Sequence, residues 1–175
     1  TTYVDPCAGK NNLYDVLPEP KQRYDITEGT DFLGTQRDTF GAQPITLVMN
    51  PPFTIPPQKN GIILFLNHAE TILRDGEHVI CVAPQTMRKW INISRVHRHL
   101  HLLRELIFKK QCVFDGRKVS ITIQVWQKRP TLRRQPTLMR SCADFTASFK
   151  LPGDFYMRVW GVLRKIGELS TDAPI

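Results

Sequence analysis

Ile45-Thr46-Leu47-Val48-Met49-Asn50-Pro51-Pro52-Phe53 sets an apolar run directly against two prolines and an aromatic residue. The run reads as a buried strand, and the prolines end it, so the last four residues lie at the strand's carboxyl end. Open α/β sheets bind their ligands at that end. Each proline fixes its own φ and drives the residue before it away from helical angles. The Asn50 side chain and the Pro51 carbonyl therefore form a stiff pair of acceptors, with Phe53 as a flat apolar surface beside them. Such a set suits a planar molecule that carries an exocyclic amino group. A strand that simply ends in a proline turn has the same local sequence, so residues elsewhere must decide between the two readings.

Upstream, Tyr3-Val4-Asp5 reads as a first strand, and Pro6-Cys7-Ala8-Gly9-Lys10-Asn11-Asn12-Leu13-Tyr14 as a turn leading into a first helix. A glycine in such a turn lets backbone approach a bound nucleoside closely. Arg23-Tyr24-Asp25-Ile26 is a short strand ending in an acid, and Gly29-Thr30-Asp31-Phe32-Leu33 follows. Taken in this order, the elements resemble the class I S-adenosylmethionine-dependent amino-methyltransferases. That family's catalytic motif is Asn or Asp, Pro, Pro, then Tyr, Phe or Trp. Its cofactor turn has the form Asp-Pro-x-x-Gly-x-Gly. The resemblance covers about Tyr3 to Gln127 and is specific to the class rather than to one member.

The resemblance implies a Rossmann-like methyltransferase fold, with a mostly parallel sheet closing in an antiparallel hairpin. It also implies S-adenosylmethionine as cofactor, held by Asp5, Pro6, Cys7, Ala8, Gly9 and Asn11 in the turn. Asp25 would take the ribose hydroxyls, and Asp31 the adenine amine, with Phe32 packing on the adenine ring. Asn50, Pro51, Pro52 and Phe53 would be catalytic. The chain departs from the family at Asn11, which replaces the second glycine. Asn tolerates left-handed backbone angles better than other residues with a side chain, so the turn survives.

The remaining elements fit this layout. Thr54 to Gly61 is proline-rich and polar, as a lid over the target would be, and Ile62 to Leu73 has helical spacing stopped by Arg74-Asp75-Gly76. His78 to Ala83 reads as a buried strand ending at Pro84, and Thr86 to about His101 as a helix. Leu106 to Phe114 and Val119 to Gln127 are strand-like, with Asp115-Gly116 as a hairpin signal between them. The interval from Asp25 to Asp31 leaves no room for a helical crossover. The expected division is a core over residues 1–129 and a basic, target-contacting extension over 130–175.

The net charge of +8 is concentrated beyond the catalytic loop. Arg88, Lys89, Arg95, Arg98 and Arg104 precede the hairpin, and Lys128, Arg129, Arg133, Arg134 and Arg140 follow it. A dense line of phosphates is the natural partner for such a surface, and Arg129, Arg133, Arg134 and Arg140 are the expected backbone contacts. Trp90, Trp126 and Trp160 lie among these cations, where they serve either base stacking or the core. The partner expected is nucleic acid, DNA before RNA, with the exocyclic amine of adenine as methyl acceptor. Two other readings stay open: methylation of a protein glutamine amide, which presents the same hydrogens, and a methyltransferase fold retained as a binding module.

The hydrophobic content of 41% and charged content of 23% are those of a globular chain. No apolar run approaches a membrane span, and no signal-peptide pattern opens the sequence. Cys7, Cys81, Cys112 and Cys142 are scattered, so neither a zinc knuckle nor a disulfide framework is indicated. Cys7 and Cys81 read as small buried hydrophobes, and a reducing, cytoplasmic compartment is expected. His97 and His101 stand at helical i, i+4 spacing without a third ligand, so no metal is expected. The chain opens on Thr1 rather than Met, as a trimmed or processed chain does.

Overall fold

A computed structural model describes residues 1–57, 60–114 and 117–133 of the 175. Among the described residues six strands form one sheet in the order β2-β1-β3-β4-β6-β5. They are β1 (Thr2–Asp5), β2 (Lys21–Arg23), β3 (Ile45–Met49), β4 (His78–Pro84), β5 (Leu100–Phe114) and β6 (Arg117–Lys128). β2, β1, β3 and β4 run parallel, whereas β6 pairs antiparallel with both β4 and β5. This is the Rossmann-like methyltransferase architecture expected from the sequence. The Asp115-Gly116 turn itself lies outside the described residues, although Phe114 and Arg117 on either side of it are register partners.

β1 lies between β2 and β3, so the chain leaves β1 to one side and returns on the other. Open α/β sheets bind ligands at the carboxyl ends of the strands where the order reverses, and the turn after β1 and the loop after β3 both leave from there. The core builds outward from this point. Val4, Leu47, Met49, Val79, Cys81 and Trp126 pack with Ile62, Phe65, Leu66 and Ala69 of helix α1 (Gly61–Ile72). Asn60 caps α1 by accepting from Ile63 N at 3.3 Å. At the far end of β3, the buried Glu77 carboxylate accepts from Ile45 N at 3.0 Å and Arg74 N at 2.7 Å, and pairs with Arg37. That tie holds β3 in register with the end of α1.

Three sequence expectations are corrected. No α-helix follows the first turn; Tyr14–Val16 forms a single 3-10 turn, because Pro18 and Pro20 leave the segment no room to continue. The helix expected over Thr86 to His101 is reduced to a 3-10 turn at Gln85–Arg88 and one helical turn, α2 (Trp90–Ile93). Its apparent periodicity came from Ile93, Val96 and Leu100, all buried. The backbone between them is claimed instead by Asn67 of α1, which accepts from His97 N at 2.8 Å and donates to Arg95 O at 3.1 Å. β5 then starts at Leu100, six residues before the expected strand. Finally, Asn60 and Gly61 belong to the start of α1 rather than to the lid, and Ile55 within the lid packs on the core.

Candidate active site

The turn after β1 and the loop after β3 meet at the switch point. Asn50 follows Met49, the last residue of β3, and with Pro51, Pro52 and Phe53 it lines a pocket of about 290 Å3. Pro51 is buried, Pro52 exposed and Asn50 partly buried. Phe53 packs one side on the core. The loop closes onto α1, whose first residue donates from Gly61 N to Phe53 O at 3.2 Å. Gly61 is required there, since a Cβ would overlap the Pro52 carbonyl oxygen and crowd Ile55.

The Asn50 backbone N–H faces the Cys7 sulfur, which sets the two loops side by side. Burial pushes the Cys7 thiol well above its ordinary range, with the nearby Asp5 carboxyl adding to the shift. Cys7 is therefore a neutral packing group. Cys81 is fully buried and its thiol is likewise raised by desolvation. Both residues match the small hydrophobes expected, with Cys7 somewhat more open than Cys81.

Asp5 ends β1 at 1% exposure. Its Oδ1 accepts from Cys7 N at 3.1 Å, while Oδ2 has no hydrogen-bond partner among the described residues. Burial raises its carboxyl to about 7; the Cys7 N–H pulls it down, Asp25 pushes it up, and Arg23 pulls it down. A buried oxygen left open in this way fits a positively charged ligand group.

Asp25 and Asp31 each cap a 3-10 turn. Asp25 Oδ1 accepts from Thr27 N at 2.9 Å and Thr27 Oγ1 at 2.7 Å, and the Gly9 N–H faces the same carboxylate. The Thr27 bonds hold Asp25 below the ordinary carboxylate range. Asp31 Oδ1 accepts from Leu33 N at 2.9 Å on an otherwise exposed side chain. Phe32 is different from its expected role. It is 1% exposed, stacks on Phe65 at 5.8 Å, and meets Tyr24 and His68 edge-on. Its ring anchors the Asp31 turn in the core and has no open face for an adenine. His68, which sequence reading missed, lies 3.4 Å from Thr35 Oγ1, and desolvation lowers its pKa.

Asn11 takes a left-handed φ of 63°, as the glycine position of the turn demands. Its Oδ1 accepts from Arg23 Nη1 at 2.7 Å. Arg23 is in turn fixed by a two-pronged pair with Glu28, Nη2 to Oε2 being 2.8 Å.

Among the described residues the expected basic surface is only partly present. Arg133 is buried, donates from Nη2 to Ile93 O at 2.9 Å and Val96 O at 3.0 Å, and lies over the Trp126 ring at 5.6 Å. It closes the α2 turn onto the sheet and is not a surface cation, which corrects its assignment as a phosphate contact. Arg129 is exposed, as are Lys89 and Arg95, while Arg88 pairs with the buried Glu105 at 2.9 Å. Arg134 and Arg140 lie outside the described residues. Trp126 is core, donating from Nε1 to Gln124 Oε1 at 3.3 Å. His97 and His101 share no helix face. His97 pairs with Glu70 at 3.2 Å, and His101 bonds the Thr131 carbonyl at 2.7 Å. Among the described residues no helix is long and apolar enough to cross a membrane.

Comparisons with known proteins are consistent with this geometry at the level of fold. No family model matches the chain, and no curated protein does. Among solved structures, a Listeria monocytogenes protein provisionally assigned as a class I S-adenosylmethionine-dependent methyltransferase superposes with a TM-score of 0.53 at 12% identity. The match covers 94% of this chain and 63% of that one, so this chain spans less than two thirds of that neighbour's length. A Lactococcus lactis protein provisionally assigned as a hemolysin superposes with a TM-score of 0.52 at 10% identity, covering 78% of this chain and 83% of that one. The chain therefore has the methyltransferase fold. One fold shared by proteins with such different assignments leaves activity to be argued from the site.

Proposed function

We infer that this chain is an S-adenosylmethionine-dependent methyltransferase acting on the exocyclic amine of adenine in nucleic acid, DNA first. The observation that carries this reading is the meeting of Asn50-Pro51-Pro52-Phe53 with the Cys7 to Asn11 turn at the switch point of the sheet. Bound there, S-adenosylmethionine supplies a methyl group already activated by a positive sulfur. The chain's own task is then mainly position and electrostatics. Asp5, with its open Oδ2, would hold the cofactor's positive charge, and Asp25 and Asp31 its ribose and adenine.

Asn50 Oδ1 and the Pro51 carbonyl would accept the two amino hydrogens of the acceptor. That grip draws the nitrogen lone pair out of conjugation with the ring and leaves it free to attack. Phe53 would stack on the base. An adenine within a duplex is out of reach, so the base must leave the helix, and Phe53 replaces part of the lost stacking. The exposed Lys89, Arg95 and Arg129 supply cations for the phosphate backbone.

The test is incubation with methyl-labelled S-adenosylmethionine and, separately, duplex DNA, single-stranded DNA, structured RNA and protein extract. Label at adenine N6 in DNA or RNA is the expected result. Label on glutamine in the protein fraction would assign the chain to amide methylation, and no label in any arm would make it a binding module.

A further inference from the structure

We propose that Arg23 is a positioning residue for the cofactor turn, immobilising the side chain that this protein carries where the turn calls for glycine. The proposal rests on the cofactor reading above and goes beyond it to a residue with no assigned role.

Residue 11 sits at φ 63° between two backbone hydrogen bonds, its N–H on Ala8 O at 2.8 Å and its carbonyl accepting from Asp15 N at 2.8 Å. Glycine meets that conformation without steric cost and presents nothing beyond the backbone. Asn meets it at modest cost but adds an amide on a rotatable bond, at the place where backbone is meant to approach a ligand. Left free, that amide would sample positions over the turn. Here it is not free. Asn11 Oδ1 is bonded to Arg23 Nη1 at 2.7 Å, toward the β2 edge of the sheet.

Arg23 is itself held from two sides. Glu28 takes both terminal nitrogens, at 3.2 and 2.8 Å, and the Tyr14 ring lies 5.9 Å from the guanidinium carbon. Its planar fork reaches Asn11 and Glu28 at once, which a lysine could not do with the same geometry. Arg23 also precedes Asp25 by two residues, so one side chain ties the β1 turn to the loop that carries the ribose acid. The arrangement converts a departure from the glycine pattern into a fixed, ligand-compatible surface.

The experiment is a double-mutant cycle read by calorimetric binding of S-adenosylhomocysteine to the full chain. In the Asn11 parent, Arg23→Met is expected to raise Kd by about five- to tenfold, the size of coupling found between directly bonded side chains. In an Asn11→Gly parent, where no side chain needs holding, the same substitution should raise Kd by less than about twofold. A purely structural Arg23 would produce the same ratio in both parents, and that result overturns the proposal. Equal affinity of wild type and Arg23→Met also overturns it. Absence of binding by the wild type removes the cofactor reading itself, and the proposal falls with it. Arg23 is partly exposed, and thermal melts of the four proteins without ligand confirm that each is folded before binding is compared.

Discussion

Gly61 lies directly under the Pro52 carbonyl, so close that a single added methyl group would collide with it. The amino terminus of α1 therefore serves as the floor of the Asn50–Phe53 loop. With Gly61 N donating to Phe53 O, the helix fixes both height and tilt of the loop. Gly61→Ala should destabilise the fold by about 1–3 kcal/mol through overpacking. It should reduce methyl transfer more than cofactor affinity, because the loop moves and the β1 turn does not. Denaturant unfolding beside a transfer assay checks both. Wild-type transfer rates in this variant would show that the loop position is not set by α1.

Asn50→Ala should abolish methyl transfer while leaving S-adenosylhomocysteine affinity nearly intact, since the role proposed for Asn50 is on the acceptor amine. Phe53→Ala should chiefly weaken engagement of the target base, by about 1–3 kcal/mol for a lost stack. Single-turnover rates at saturating and sub-saturating oligonucleotide separate the two. An active Asn50→Ala protein would reduce the tetrapeptide to a turn.

Asp31→Ala should weaken S-adenosylhomocysteine binding by about 1–3 kcal/mol, the cost of losing the hydrogen-bond acceptor proposed for the adenine amine. The same change removes a cap on Leu33 N, with a stability loss of about 0.5–2 kcal/mol that a melt without ligand isolates. Unchanged calorimetric affinity would exclude Asp31 from the adenine site.

Asp5 gives a pH signature. Its carboxyl is raised to about 7 in the folded chain, against about 3.9 for an unfolded aspartate. Between those values the folded state holds a proton that the unfolded state has released. Stability contributed by this group therefore falls as pH rises through that interval and levels off above it. Asp5→Asn should flatten this part of the stability profile. In the wild type, a cationic ligand beside Oδ2 would lower the pKa, so binding at about pH 6.5 should release protons. Calorimetry in two buffers of different ionisation enthalpy reads that release, and its absence would place the cofactor's charge elsewhere.

Arg133 and Arg129 should behave oppositely. Arg133→Met leaves the Ile93 and Val96 carbonyls without their donor and should cost about 1–3 kcal/mol of stability. Arg129→Ala should leave the melting temperature unchanged and flatten the salt dependence of duplex-DNA binding by about 0.9 log units per log unit of salt, one phosphate contact. A salt slope unchanged in Arg129→Ala would leave that cation a solvated one.

Much of the fold was legible because its signals are local. Met49 followed by Asn50 and two prolines ends a strand wherever it occurs, and His78 to Pro84 is apolar enough to be buried on both faces. The run from Ile62 and the Asp115-Gly116 hairpin signal are likewise read within a few residues. The candidate residues Asp5, Asp25, Asp31 and Asn50 stand in order along the chain, so the proposed site is read as a series of short motifs.

What only the tertiary structure decided are the cases where a distant partner outbids the local pattern. Asn67 takes the backbone groups of Arg95 and His97 and cuts short a helix that Ile93, Val96 and Leu100 would otherwise continue. Phe65 and Tyr24 enclose Phe32, and Trp126 with two carbonyls enclose Arg133, so an expected adenine platform and an expected phosphate contact are core residues instead. The need for glycine at position 61 and the bond from Arg23 to Asn11 arise in the same way. Each depends on side chains brought together across the sheet, and sequence spacing carries no record of that distance.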